Sequence, residues 1–370
     1  MKYNWQNPNW PHFVYNPLTA QDILYRYAQE TSLLAGAINQ LPEGSATDTL
    51  VDLMVLEALK TSEIEGELIL AEDIRSSIRL QLKPPHTKAS VTDSRAKGIA
   101  DLMLDVRHSF CESLTKEKLF EWHTMVMADS NDLQIGCWRK DLEPMQIISG
   151  PIGREKVHYE APPSGRLDSE MDAFLDWFNR TQPTQIKKEL PGPIRASVAH
   201  LYFESIHPFT DGNGRIGRAI AEKALSQDIG SPVLFSLSNT IQSSRKDYYL
   251  KLHDNSGYSL EITDWIEFFV DVIYKSQLES KDQILFVLKK SHFWRKFEDS
   301  FNPRQEKAIQ RILKEGPSGF KGGLSAQKYM TITGCSKATA TRDLAGLLEM
   351  GCLYRLPGKG PNTRYDLEFG

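Results

Sequence analysis

Twelve consecutive residues, His207 to Arg218 (HPFTDGNGRIGR), combine one imidazole, one carboxylate, three glycines and two guanidiniums. Glycines at 212, 214 and 217 free the backbone to turn successive N–H groups inward as a nest, and a helix beginning there adds its unpaired amides and the positive end of its dipole. Such a concavity binds phosphate. Arg215 and Arg218, three apart on the first turn of that helix, can reach one anion with charge-assisted hydrogen bonds. Asp211 does not suit a bare anion site, but it suits a polyphosphate accompanied by Mg2+, for which it is a hard oxygen ligand. His207, with an ordinary pKa of about 6.5, can take the proton of an attacking hydroxyl. Taken singly, a His-Pro pair is a helix stop, Gly-Asn-Gly a tight turn and two spaced arginines a solvated face. Their concurrence describes phosphate-transfer chemistry from a nucleotide.

Two commoner phosphate motifs are excluded. GNGRIG (Gly212, Asn213, Gly214, Arg215, Ile216, Gly217) matches the spacing of the dinucleotide fingerprint, but that fingerprint needs a buried strand before it and a parallel βαβ unit around it. The residues before His207 have helical spacing instead. The one Gly-Lys pair, Gly358-Lys359, has Leu353 where a P-loop needs its first glycine and Gly360 where it needs Ser or Thr.

Helices must therefore position the loop. PGPIRASVAHLYFESI leads into it with Ile194, Val198, Leu201 and Tyr202 on one face and Pro193 suited to the first turn. Ile216, Ile220 and Ala224 continue in helical step after it, up to Gly230. TDTLVDLMVLEALKTSEIEGE, SRAKGIADLMLDVRHS and TKEKLFEWHTMVMAD are likewise amphipathic. Residues 145–163 break the pattern: β-formers at Gln146–Ile148 and Val157–Tyr159 flank a Gly-Pro-Ile-Gly turn and predict an exposed hairpin. The body is thus mainly α with one β-flap. From residue 301 the order is helix, helix, a third helix with Ser336 as N-cap, then two strands around a Gly/Pro/Lys-rich turn, the order of a winged helix-turn-helix domain.

At 370 residues the chain predicts more than one core. The division expected is residues 1–92, 93–300 and 301–370. The net charge of −4 conceals an asymmetry, since residues 301–370 carry 11 Lys/Arg against 6 Asp/Glu while the remainder carries 33 against 42. A basic appendage with a helix suited to a groove suggests DNA, with protein binding as the alternative. Four scattered cysteines without metal spacing predict reduced thiols in a cytoplasm, and no apolar run approaches the roughly 18 residues that a membrane span needs.

HPFTDGNGRIGR resembles the signature of the Fic family at every fixed position, and GCWRK, HYEAPP and RKDYYLKL have counterparts there too, so the resemblance covers roughly residues 90–280. It implies a helical core that transfers AMP from Mg-ATP to a Ser, Thr or Tyr hydroxyl of a protein, the chain itself included. It assigns His207 as base, Asp211 to Mg2+, Gly212 to Arg218 to the phosphates, Tyr248 to the nucleotide pocket and the 145–163 flap to the target strand. TSEIEG, Thr61 to Gly66, resembles the inhibitory motif of self-restrained members, with Glu65 expected to share a helix face with Thr61 and to pair with Arg218. Removal of AMP, or transfer of another phosphate-containing group, is the alternative reaction at the same site. A DNA-binding regulator is the alternative of another class. The implied partners are a protein hydroxyl, DNA through residues 301–370 and a second copy of the chain, with no membrane. The aromatic start, YNWQNPNWPHFVYN, resembles an extension of some family members and suggests no chemistry of its own.

Overall fold

Helical periodicity carries over into α1 (Gln21–Asn39), α2 (Glu43–Ile64), α3 (Ala71–Leu82), α4 (Ser94–His108), α5 (Lys116–Val126), α6 (Leu167–Arg180), α7 (Gly192–Ile206), α8 (Asn213–Ile229), α9 (Leu237–Ser243), α10 (Arg245–Asn255) and α11 (Thr263–Phe297). The computed structural model describes residues 2–82, 93–130, 134–141, 143–149, 156–184, 190–317, 319–357 and 363–369. Its compact units are Met1–Leu33 with Leu50–Ser280, and Leu34–Thr49 with Lys281–Gly370.

In the first unit α7 is the central helix. It starts after Pro191 with Pro193 in its first turn, and of its residues only Glu204 is not fully buried. α8 packs along it, starting after Gly212 (φ +79°) and ending at Gly230 (φ +78°), both left-handed positions that favour glycine. The buried aromatics Phe174, Phe178, Tyr202, Phe203, Trp265 and Phe269 fill the core around α7. Side chains cap the starts of α4 and α5: Asp93 accepts from Arg95 N and Ala96 N, and Thr115 from Lys118 N. β1 (Gln146–Ser149) and β2 (Lys156–Glu160) pair antiparallel, Ile147 opposite Tyr159, as the sequence predicts. The Gly-Pro-Ile-Gly turn between them lies outside the described residues.

The second unit has its own core of Phe293, Ile309, Ile312, Tyr329, Leu344 and Leu347. It contains α12 (Pro303–Leu313), α13 (Ala326–Thr333) and α14 (Lys337–Glu349), followed by β3 (Leu353–Arg355) and β4 (Tyr365–Leu367), which pair antiparallel. Ser336 caps α14 by accepting from Thr339 N. Asp343 is buried and accepts from Arg304 Nε (2.9 Å) and the Tyr329 hydroxyl (3.1 Å), bonds that outweigh its burial and hold its carboxyl below the usual range. Residues 358–362, within the predicted Gly/Pro/Lys turn, lie outside the described residues. No described helix is long and apolar enough to cross a membrane.

α4 and α5 touch where Gly98 has no side chain: a methyl group there would lie 1.9 Å from the Met125 carbonyl oxygen. Gly98→Ala should destabilise the chain by about 1–3 kcal/mol, the range for overpacking a fitted contact. Urea unfolding checks this as a lowered midpoint at unchanged slope.

Candidate functional site

The six residues joining α7 to α8 hold their shape by spending their own side chains. Asn213, buried, accepts from Phe209 N (3.0 Å) and donates to Phe209 O (2.8 Å), stapling the loop across four residues. Phe209 stacks on the buried ring of His123 at 4.0 Å and 15°. His123 Nδ1 accepts from Gly136 N (3.0 Å), which leaves the proton on Nε2, and burial holds its pKa down to about 4, so it is a neutral strut. Ile216 is packed in the core and contributes only its backbone to the site. The amides of Asn213, Gly214 and Arg215 precede the first intrahelical donor of α8, Ile216 N, which bonds Gly212 O (3.1 Å). These first-turn N–H groups are left without intrahelical partners at the place where the glycine spacing predicts a nest.

His207 closes α7 in the left-handed region (φ +50°, ψ +60°), the one described non-glycine residue there. Arg139 secures that turn. It donates from Nε to the His207 carbonyl (2.9 Å) and from its terminal nitrogen to the Pro162 carbonyl, while its backbone N–H bonds Pro208 O (2.9 Å). Burial, aided by the Arg139 charge, holds the imidazole down to about 4 against the pull of the Glu204 backbone, Glu65 and Asp211. His207 is thus neutral well below the pH at which a free histidine would charge, and it can accept a proton throughout the physiological range. Glu204, one turn back with its Oε2 3.8 Å from His207 Nδ1, is pushed up to about 8 by burial and the nearby Glu65, against Arg218. It is therefore mostly uncharged at neutral pH.

Both guanidiniums of the first turn of α8 are buried, Arg215 with 3% and Arg218 with 1% of its side chain exposed. Each is met by a carboxylate. Arg218 donates to Glu65 Oε1 (2.8 Å), and also to Thr61 Oγ1 (2.8 Å) and the Thr61 carbonyl (2.9 Å). Arg215 donates to Glu67 Oε1 (2.6 Å). Burial opposes Arg218's charge, but Glu65, with Tyr248 and Tyr249 behind it, moves the guanidinium's pKa further up.

Thr61 and Glu65 face one guanidinium, as the hexapeptide predicts, but Glu65 does so from the C-cap. α2 ends at Ile64, and Glu65 stands one residue beyond it. Gly66 N bonds Glu63 O (3.0 Å) and Glu67 N bonds Ser62 O (3.0 Å), with Gly66 at φ +85°. This is a Schellman turn. By reversing the chain at Gly66, it brings a second carboxylate, Glu67, back to Arg215, a contact that sequence reasoning missed. Gly214 admits the first one, since a Cβ there would lie 2.2 Å from Glu65 Oε1. α2 is itself held by Glu57, whose carboxylate accepts from Ser236 Oγ (2.7 Å), Ser238 N (2.9 Å) and the Ser238 hydroxyl.

Two further predicted residues differ in exposure. Tyr248 is 1% exposed and bonds His200 Nε2 through its hydroxyl (2.7 Å), whereas its neighbour Tyr249 carries the exposed ring and reaches Ile64 O (3.4 Å). Asp211 is 58% exposed, with Oδ1 3.9 Å from Arg215. Among the described residues no group of three His, Cys, Asp or Glu side chains is arranged to hold a metal. A lone exposed carboxylate beside a nest still fits Mg2+, an ion that keeps several waters and is bound by one or two carboxylates together with phosphate oxygens.

Family patterns match two segments: the Fic/DOC family over residues 113–225, and a domain of unknown function (DUF4172) over residues 3–83. The chain is 26% identical over 194 residues to a protein adenylyltransferase Fic of Nematostella vectensis, covering 51% of this chain and 40% of that protein. It is 38% identical over 101 residues to a Fido domain-containing protein of Dictyostelium discoideum, covering 26% of this chain and 68% of that protein. It spans 40% of the length of the adenylyltransferases of Nematostella vectensis and Caenorhabditis elegans. A solved structure of a Fic family protein from Desulfovibrio desulfuricans G20 superposes with a TM-score of 0.52 at 19% identity, over 97% of this chain and 98% of that one, which shares the fold. With an intact HPFTDGNGRIGR loop between α7 and α8 and 38% identity across 68% of the Dictyostelium protein, the chain belongs to the Fic/DOC family.

Proposed function

We propose that the chain is a protein adenylyltransferase whose site is closed by its own carboxylates. The observation that carries this reading is the pair of buried guanidiniums, Arg215 and Arg218, at a helix N-terminus where Glu67 and Glu65 occupy the positions of anionic ligands. In the proposed reaction the nest from Gly212 to Gly217 and the two arginines hold the phosphates of ATP, once the glutamates have withdrawn. His207 takes the proton of a Ser, Thr or Tyr hydroxyl on a target protein as that oxygen bonds the α-phosphorus. The bond from the α-phosphorus to the bridging oxygen breaks, and pyrophosphate leaves with its charge stabilised by the arginines. Asp211 would hold Mg2+, which when bound neutralises phosphate charge and orients the leaving group. Tyr248, behind His200, backs the nucleotide pocket. The β1–β2 hairpin presents the target as an added strand.

Glu65 and Thr61 together restrain this activity, because Arg218 cannot serve a phosphate and Glu65 at once. Glu65→Gly should raise self-labelling by AMP by about ten-fold or more, a barrier change of about 1.4 kcal/mol. His207→Ala in that variant should abolish it. Incubation with ATP labelled at the α- or the γ-phosphate tests both variants: protein-bound γ-label alone would replace nucleotide transfer with phosphoryl transfer.

The state of the base is independently measurable. NMR titration of the free protein should place the His207 midpoint near 4, as its burial requires, with the ring neutral above that pH. A midpoint near 6.5 would mean an exposed imidazole.

A second activity fits the other unit. α14 exposes Lys337, Thr341 and Arg342, and the exposed Arg355 ends β3 while the exposed Arg364 precedes β4, basic positions of the kind a winged helix turns to DNA. Mobility shift with DNA across a salt series tests it, and Arg342→Ala should reduce the salt slope by about 1 if it meets a phosphate. No shift even at low salt would favour a protein partner for this unit instead.

A further inference from the structure

The aromatic N-terminal segment takes no part in the phosphate chemistry, yet it is built into the root of the hairpin. Asn4 is fully buried. Its Nδ2 donates to Ser205 Oγ (2.8 Å), and its Oδ1 accepts from Trp5 N (2.8 Å) and lies 3.1 Å from the Tyr159 hydroxyl. That hydroxyl also lies 2.6 Å from the Ser205 carbonyl oxygen, so one proton is shared between two acceptors. A single side chain thus joins strand β2 to the last turn of α7, two residues before His207. Around it, Tyr3 packs edge-on against Tyr159 at 5.1 Å, and the Trp5 indole donates to Glu160 O (2.7 Å). Trp10 lies edge-on to Tyr202 of α7 at 5.1 Å and donates to Glu170 Oε2 (2.8 Å).

On the opposite side of the same turn Arg139 joins the His207 and Pro162 carbonyls. The bonds therefore close into a ring: from Asn4 to Tyr159, along the chain to Pro162, through Arg139 to His207, and back through Ser205 to Asn4. The hairpin itself has strands of four and five residues. A two-stranded hairpin of that size is marginal alone in water, so its direction must be set at its root. Tyr159, Asn4 and Arg139 are the side chains that tie this root to the α7 end, Tyr159 directly and Asn4 by bridging the Tyr159 hydroxyl and Ser205 Oγ.

We propose that residues Tyr3 to Trp10, through Asn4, are a positioning element for the acceptor strand: they fix β2 against the end of α7 and so set where an acceptor hydroxyl lies relative to the His207 imidazole. This rests on the hairpin and His207 having the roles given under the proposed function. It gives the first residues of the segment matched as a domain of unknown function a task in acceptor placement, distinct from the engagement of the arginines by Glu65 and Glu67 of the same segment.

The test uses the full chain in the Glu65→Gly background, with a His207→Ala chain as the AMP acceptor and α-labelled ATP. Tyr159→Phe removes the shared hydroxyl and keeps the ring, and Asn4→Ala removes the bridge. Each should raise the apparent KM for the acceptor chain by about ten-fold, a loss of about 1.4 kcal/mol in docking the acceptor strand, and leave the apparent KM for ATP unchanged. The double variant should be little worse than either alone, since both break one network. An unchanged acceptor KM, or equal rises for acceptor and ATP, overturns the inference. Hydrogen exchange provides a readout independent of turnover: amides of residues 157–161 should exchange faster in Asn4→Ala while those of α8 do not, and unaltered exchange at 157–161 in that variant also overturns it. If the Glu65→Gly parent transfers no AMP, the proposed function fails and the exchange data alone decide the positioning role.

Discussion

A guanidinium as deeply buried as that of Arg218 must be held by an anion. It cannot lose its charge, and breaking a buried pair by removing one partner typically costs about 3–5 kcal/mol. Here the partner is the carboxylate of Glu65, which is still 26% exposed while Arg218 is 1% exposed. That asymmetry matters. The cation is fixed in the core, whereas the anion sits at the rim on a turn and can be exchanged for another. In the proposed reaction, restraint is therefore competition between a tethered carboxylate and a phosphate for one buried charge. The tether gives the carboxylate an effective concentration of the order of millimolar, while the phosphate brings more charge and three oxygens. Whatever displaces the turn after α2 need only shift that balance.

The Schellman turn at Gly66 explains why two arginines are engaged rather than one. An uninterrupted helix would carry residue 67 around the axis and away from α8. With Gly66 left-handed, the chain doubles back, so Glu65 and Glu67 flank one glycine and meet guanidiniums three residues apart on a facing helix. The glycine in TSEIEG and the glycine at 214 serve the same contact from its two sides: one turns the carboxylate inward, the other leaves room for it.

How much of this was legible follows from how local each interaction is. The loop from His207 to Arg218 was readable because its chemistry is contiguous, and the helices around it because burial imposes a period of 3.6 residues. The hairpin was readable from its β-formers. The exit of Glu65 from the helix was not, although Gly66 is the signal that could have shown it. Arg139 and His123 went unassigned because their partners, His207 and Phe209, are 68 and 86 positions away in sequence, and no local pattern announces such a pairing. The same holds for Asn4, whose partners are 155 and 201 residues distant. The pKa of His207 is a property of its burial, so only the fold could move it from the ordinary 6.5 to about 4.

That low value bears on mechanism. A base titrating near 4 stays neutral and available, but it has little thermodynamic drive to keep a proton near pH 7. Burial and then Arg139 pull its pKa down, while the Glu204 backbone and the carboxylates of Glu65 and Asp211 pull it up. A polyphosphate seated on the nest would replace the Glu65 charge with a larger one on the same side, and by the same electrostatics would raise the pKa of the imidazole toward neutrality. In the proposed reaction the base would thus strengthen as the nucleotide arrives, and remain weak while the site is closed. Such coupling requires the imidazole to keep its distance from the nest while charge accumulates. The left-handed turn at His207, bolted by Arg139 on one side and by the Asn4–Ser205 contact near it on the other, supplies that rigidity. Rigid placement of the base and exchangeable occupation of the arginines are therefore complementary demands, met by separate parts of the chain.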